Sequence, residues 1–167
     1  MAKRKRRIVK IPKEYLEAIE ISEPAFSYFF QFENGLRIAV NNFLTLCYGN
    51  NWWDISLQTR KRDIYNYVER IKTKQSLMPW IGDSARIPVL PIHTITLGQL
   101  EEIIKEYKSD CIPQLFPNWE FLSGRLEVIK RVRNLYAHMY PCITKKDVQV
   151  AKRDILTLCD HLNSKLP

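Results

Sequence analysis

The short stretch RNLYAH at residues 133–138 places an arginine and a histidine five positions apart. Arg133 can hold a phosphate through two parallel hydrogen bonds, and its charge does not titrate in a useful range. Histidine is the side chain that most readily gives or takes a proton near neutral pH, and His138 supplies one here. Asn134, one turn before His138, can orient the imidazole or donate to a phosphate. These side chains form a compact set suited to phosphate chemistry.

The spacing of Arg133 and His138 sets a geometric condition on that chemistry. On a regular helix, five positions correspond to about 500°, so the two side chains diverge by about 140° with about 7.5 Å of rise. The two side chains of one chain therefore meet only if the long arginine side chain bends around the helix or if the helix distorts at its end. Otherwise a second chain must complete the site.

Metal-free cleavage of RNA fits these residue types better than the other catalytic classes do. The chain has no phosphate-cradling glycine loop, its three histidines are scattered, and no nucleophile elbow is present. RNA cleavage needs a group that moves the 2′-OH proton and a cation that stabilises the developing phosphoryl charge. His138 and Arg133 are the candidates for these two roles, and we expect no metal or other cofactor.

Three further stretches, together with the Arg-x4-His motif, resemble the HEPN superfamily. They are ENGLR at 33–37, YGNNWW at 48–53 and LGQLEEII at 97–104. The similarity extends from Phe26 to Leu162 and is greatest with the subgroup that accompanies PIN-type RNA endonuclease domains. HEPN domains are small and helical, and many are metal-independent ribonucleases.

The resemblance implies a function and a set of partners. In RNA-cleaving HEPN proteins, the arginines and histidines of two subunits meet in one cleft. In such a dimer, Arg133 and His138 from different chains could act together even though they diverge within one chain. We therefore expect a homodimeric endoribonuclease that leaves 2′,3′-cyclic phosphate ends. Tyr28, Phe30 and Phe32, apolar residues left over outside a single bundle, are the candidates for its interface, unless they pack under the proline-rich loop of residues 75–94. A toxin or antiviral defence ribonuclease, controlled by a cognate antitoxin or regulatory protein, fits this expectation.

A non-catalytic HEPN module that dimerises and binds RNA or a partner enzyme is the alternative. In that interpretation Arg133 pairs internally with Glu33, and His138 caps the end of its helix, where a cation is favourable. RNA binding would then depend on positively charged surfaces. The candidates are Lys130 and Arg131 beside the motif, Arg60, Lys61 and Arg62 on a basic face that continues to Lys74, and the N-terminal arm.

The helix that carries Glu33 is predicted over residues 24–47, with Phe26, Phe29, Leu36, Val40, Phe43 and Cys47 on its apolar stripe. Glu33 falls on the same stripe, four positions before Arg37, which is the favourable order for a helical ion pair. A carboxylate facing the core needs a partner. The pair either anchors the helix or lets Glu33 orient Arg133 or His138 across the bundle.

The remaining helices are predicted from periodicity and capping residues: Asp54 and Asn118 as N-caps, and capping boxes of Thr96 with Gln99 and of Thr144 with Asp147. Gly49 is expected to end the helix that carries Glu33, and the pair Trp52 and Trp53 after it is expected to be a core plug in preference to a base-stacking platform. Arg133 and Tyr136 share the buried stripe of the motif helix, so both start from the core side. Prolines interrupt the pattern between residues 75 and 94, where His93 has no partner in the sequence. The helices are expected over residues 13–19, 54–73, 96–108, 119–139 and 144–164, and the fold is an all-α, up-and-down bundle of four long helices with shorter ones.

Length and composition bear on the domain organisation, the charge, the cysteines and the location of the protein. The 167 residues suffice for one domain, and we expect a basic, disordered arm over 1–12 before a helical domain over 13–167. Net charge is +8, and +3 remains when the five charges of residues 3–7 are subtracted. The four cysteines lack metal-binding spacing and are interpreted as reduced core thiols. With no membrane-length apolar run and no signal peptide, a cytoplasmic protein is expected.

Overall fold

A computed structural model describes residues 12–76, 90–138 and 140–165. Within these ranges the chain is helical and contains no strand, so the predicted all-α class is confirmed. Helix α1 spans Lys13–Ser22, and a 3₁₀ turn at Glu23–Ala25 joins it to α2, Phe26–Tyr48. The basic arm, apart from Pro12, and the proline-rich residues 77–89 lie outside the described ranges.

Gly49 ends α2 in a left-handed conformation with φ of 83°, which only glycine adopts without strain. Trp52 and Trp53 follow and are buried, as expected for a core plug. A π-helical turn at Trp53–Leu57 follows the first tryptophan and continues through Gln58–Arg60. The backbone breaks at Lys61 before α3, Arg62–Ser76. The prediction of one helix over 54–73, capped by Asp54, is therefore wrong in its first turns.

A 3₁₀ turn at Pro91–His93 leads into α4, Leu97–Glu106. The predicted capping box is present, because Thr96 and Gln99 exchange side-chain and backbone hydrogen bonds. The chain then turns at Tyr107 and forms α5, Lys108–Leu115, which the sequence did not predict and which contains Pro113. The apolar side chains of α5 reach the core despite the proline.

The motif helix is α6, Trp119–Ala137, and its N-terminus is capped by Asn118 as predicted. Helix α7, Lys145–Asn163, begins with the predicted capping box of Thr144 and Asp147. Helices α6 and α7 pack along each other, and α2 packs against α7. The four longest helices of the described ranges, α2, α3, α6 and α7, contain 23, 15, 19 and 19 residues. None of the described helices is both long and apolar enough to cross a membrane.

The buried face of α2 differs from the predicted stripe. Phe26 is 52% exposed, whereas Phe32, expected to be left over outside the bundle, is 1% exposed. A helix with aromatic residues on several sides does not reveal by periodicity which side its neighbours will cover. The expectation of core thiols is also wrong for two cysteines: Cys111 is buried and Cys159 half-buried, but Cys47 and Cys142 are exposed.

Candidate active site

Two charged residues of α2 are buried together. Glu33 and Arg37 are 9% and 7% exposed, and Arg37 Nη2 donates to Glu33 Oε2 at 3.2 Å. The same nitrogen donates to the carbonyl of Ile95, just before α4, at 3.0 Å. Breaking a buried ion pair leaves a bare charge in the core, so each partner holds the other in place. Arg37 thus ties α2 to the segment that precedes α4.

The second oxygen of Glu33 holds the arginine of the motif. Arg133 Nε donates to Glu33 Oε1 at 3.0 Å, across 100 positions of the chain. The Arg133 side chain is 39% exposed, so its outer part reaches solvent. Within the described residues, its two terminal nitrogens make no other hydrogen bond. Glu33 therefore orients Arg133 through Nε and leaves the fork of the guanidinium free for a planar, two-oxygen acceptor.

Arg133 lines a groove of about 300 Å³, together with Glu33, Arg37 and His93. The two arginines and one glutamate give these walls a net charge of +1 when the imidazole is neutral. Arg37 Nε is buried and has no partner among the described residues. The groove is therefore biased toward an anion.

Aromatic side chains form the outer wall of the groove. Phe26 and Phe30 stack with their ring centroids 6.1 Å apart, and Phe26 also contacts the ring of Tyr136 at 5.9 Å. Tyr136 lies one turn from Arg133, as its place on the predicted stripe requires. Phe30 is 60% exposed. An anion with an attached ring or a second protein surface could contact this wall.

His93 is the groove residue that sequence reasoning missed. Its imidazole is half-buried, and burial together with the charge of Arg37 lowers its pKa below the ordinary value near 6.5. The imidazole is therefore neutral at neutral pH and can accept a proton. No spacing rule connects it with Glu33 or Arg133, because the contact is made only when the Pro91–His93 turn packs against α2. A histidine directly after a proline-rich stretch was the one available signal.

His138 and Asn134 do not line this groove, unlike Arg133, Glu33, Arg37 and Tyr136. His138 is the C-cap residue of α6, is exposed, and has its ring 6.0 Å from that of Tyr140. Its backbone N–H donates to the carbonyl of Asn134 at 3.0 Å. A nearly regular helix end thus keeps the divergence expected from the spacing of the motif.

The cations expected to contact RNA are mostly engaged with other side chains. Lys61 pairs with Glu102 at 3.7 Å and Arg131 with Asp147 at 3.9 Å. Lys130 forms an ion pair with Glu101. The guanidinium of Arg60 lies over the rings of Tyr107 and Tyr48. Arg62 is exposed and makes no ion pair or hydrogen bond with any described residue.

No three histidine, cysteine or acidic side chains of the described ranges come close enough together to hold a metal ion. The candidate site is therefore the groove of Arg133, Glu33, Arg37 and His93, with His138 outside it on the same helix end. Comparison with known proteins found no matching family model, no matching curated protein and no matching solved structure.

Proposed function

We propose that the protein is a metal-independent endoribonuclease of the HEPN type. The observation that carries the proposal is Arg133, which lines an anion-biased groove and whose Nε is held by Glu33 while both terminal nitrogens stay unbonded among the described residues. A guanidinium fixed at one edge and free at the other is prepared to bind a phosphate through two hydrogen bonds. Its orientation costs no reorganisation when charge develops on the phosphoryl oxygens.

Cleavage proceeds by attack of the ribose 2′-oxygen on the adjacent phosphorus. Arg133 holds the phosphate and stabilises its transition-state charge, and His138 transfers a proton, with Asn134 orienting the imidazole. The products are a 2′,3′-cyclic phosphate and a 5′-OH. A proton-transfer residue of this kind contributes about 10²- to 10⁴-fold to the rate.

A two-fold dimer brings in His138, the motif histidine, which does not line the groove of its own chain. With α6 and α2 near the axis, Arg133 of one protomer meets His138 of its partner across the cleft. Of the aromatic residues considered for this interface, Phe30 is exposed, Tyr28 is half-buried under Lys152, and Phe32 belongs to the core. Phe30 and its stacking partner Phe26 are therefore the proposed apolar contacts of the dimer.

The first experiment is cleavage of total RNA in excess chelator by the wild type, beside His138→Ala and the surface control Lys105→Ala. The wild type and Lys105→Ala should cut and leave cyclic phosphate ends, while His138→Ala should not. Loss of wild-type activity in chelator, or cleavage of 2′-deoxy substrates, would contradict the mechanism. Growth arrest on expression, relieved by His138→Ala, would support a toxin or defence role under a cytoplasmic regulator.

The second experiment mixes Arg133→Ala and His138→Ala chains. Random exchange makes half of the dimers mixed, and each of these carries one intact composite site, so about one quarter of the wild-type activity should return. Sites contained within one chain would stay inactive in the mixture.

A non-catalytic module that binds RNA or a partner enzyme is the second candidate. It is favoured by the position of His138, a cation-compatible C-cap outside the groove, and by the pairing of Arg133 with Glu33. In this case RNA binding weakens steeply with salt and no cleavage occurs. Unchanged behaviour of both Arg133→Ala and His138→Ala would establish this candidate over the ribonuclease.

A further inference from the structure

The segment that carries His93 is fixed in two ways, by burial of its isoleucines in the core and by a hydrogen bond from Arg37. Ile92 and Ile95, on either side of the histidine, are 0% and 3% exposed and anchor the backbone in the core. The carbonyl of Ile95 accepts a hydrogen bond from Arg37 at 3.0 Å. The imidazole of His93 is therefore held at the wall of the groove that also contains Arg133.

The groups around this imidazole favour a neutral ring beside a bound anion. Helix α2 presents Glu33 and Arg37 to the groove, and α6 presents Arg133 and Tyr136. On the described part of the segment that carries His93, the hydroxyl of Thr94 donates to the carbonyl of Pro91. Burial first, and Arg37 second, lower the pKa of His93. A neutral imidazole next to a phosphate site accepts a proton from a nearby hydroxyl.

We propose that His93 is a catalytic residue that accepts the 2′-OH proton of RNA bound in the groove. This inference rests on the proposed ribonuclease function and identifies its base. The 2′-oxygen forms a bond to phosphorus, the bond from phosphorus to the 5′-oxygen breaks, and the 2′ proton moves to His93. His138 of the partner gives its proton to the departing 5′-oxygen, and water later restores both imidazoles.

This division of roles predicts different responses to the leaving group. The test uses a uridine–adenosine dinucleotide and uridine 3′-(4-nitrophenyl phosphate), whose leaving group departs as a stable anion without a proton. His93→Ala and His138→Ala should each lose about 10²- to 10⁴-fold on the dinucleotide. On the nitrophenyl ester, His138→Ala should recover to within about tenfold of the wild type, whereas His93→Ala should not recover.

The pH profile supplies a readout that a structural role would not move. A general base must be deprotonated, so wild-type kcat/KM should fall on the acid side as His93 becomes protonated, and the variant should lose that limb. His93→Gln, which keeps a polar side chain of similar length, guards against a folding defect and should behave as His93→Ala does. Lys105→Ala is the matched surface control and should behave as the wild type on both substrates.

The outcomes separate the two proposals. Wild-type protein that cleaves neither substrate would overturn the ribonuclease function and this role with it. Wild-type protein that cleaves both, with His93→Ala and His93→Gln equally active, would overturn the role of His93 alone. Recovery of both histidine variants on the nitrophenyl ester would likewise show that His93 is not the base. Histidine NMR offers a check without turnover: uridine 3′-monophosphate in the groove should raise the pKa of His93, and an unmoved titration would contradict its placement beside the phosphate.

Discussion

Arg133 and Arg60 are the same residue type in two opposite settings. Arg133 lines the groove and is held by a buried carboxylate at Nε, while its terminal nitrogens have no partner among the described residues. Arg60 belongs to the basic face predicted to contact RNA, but its guanidinium carbon lies 5.1 Å from the ring centroid of Tyr107 and 5.9 Å from that of Tyr48. Stacking on two rings uses the flat face of the guanidinium to join structural elements.

The lysines and arginines beside these two residues extend the comparison. Lys61, Lys130 and Arg131 each face a carboxylate of another helix or its cap, so their charge is largely balanced in place. A run of positive residues in a sequence therefore does not identify a phosphate site. Arg133 differs in being both oriented and available: Glu33 fixes its Nε while its terminal nitrogens stay unbonded among the described residues, whereas the exposed and unpaired Arg62 has no side chain that orients it.

Among changes to the lysines and arginines compared above and to the side chains that hold them, the largest expected effect comes from Arg133→Ala, which should lower the rate of RNA cleavage by about 10²- to 10³-fold, because one preorganised transition-state contact is lost. Arg133→Lys should recover little, since an ammonium group cannot reproduce the two-pronged contact. Initial rates on one defined RNA measure this effect, with Lys105→Ala as control. An Arg133→Ala rate within threefold of the wild type would contradict the role of this arginine in stabilising the transition state.

The next effect concerns stability. Glu33→Ala leaves Arg37 buried without its counter-charge and should cost about 3–5 kcal/mol of unfolding free energy. Glu102→Ala removes the exposed pair with Lys61 and should cost less than about 1 kcal/mol. Urea unfolding of both variants measures the contrast. Equal losses would show that burial does not distinguish the two ion pairs.

A smaller effect is expected on RNA affinity at the basic face. Arg62 has no ion pair among the described residues, whereas its neighbour Lys61 pairs with Glu102. If this face contacts RNA, Arg62→Ala should reduce the slope of log affinity against log salt by about 0.7, the value for one single-strand phosphate contact. Lys61→Ala should change the slope less. The measurement is a salt titration of binding to a single-stranded RNA for the wild type and both variants. Identical slopes for all three would show that this face does not contact RNA.

The smallest expected effect is on the free energy of unfolding at alkaline pH, and it concerns Tyr48, one of the two rings that Arg60 stacks on. The hydroxyl of Tyr48 donates to Asp110 Oδ2 at 2.7 Å, and this bond, followed by burial, raises the pKa of Tyr48 to about 12. An unfolded tyrosine titrates near about 10, so the stabilising contribution is complete below that pH and is lost as the pH rises through about 12. Tyr48→Phe should therefore show a shallower loss of stability than the wild type between about pH 9 and 11. Urea unfolding at both pH values measures this slope, and Tyr15→Phe, an exposed tyrosine of α1, is the matched control.

Much of the local structure could be predicted from the sequence. The caps at Asn118, Thr96 and Thr144 and the stop at Gly49 all lie where their residue types indicated. The pairing of Glu33 with Arg37 was likewise expected, because residues four apart on a helix are neighbours. Helix α5 was not predicted; it contains Pro113, a residue type that disfavours a helix interior, and it follows a turn at Tyr107, whose ring is fully buried.

For the candidate site, too, some features could be predicted from the sequence and others could not. The sequence by itself determined the motif, the divergence of Arg133 from His138, and the need of Glu33 for a partner. Only the tertiary structure decided that Glu33 holds Arg133 and that His93 shares their groove. The physical reason is range: a cap or a helical pair is closed by residues three or four positions apart. A contact across 100 positions depends on which faces of several helices pack together, and no local pattern specifies that.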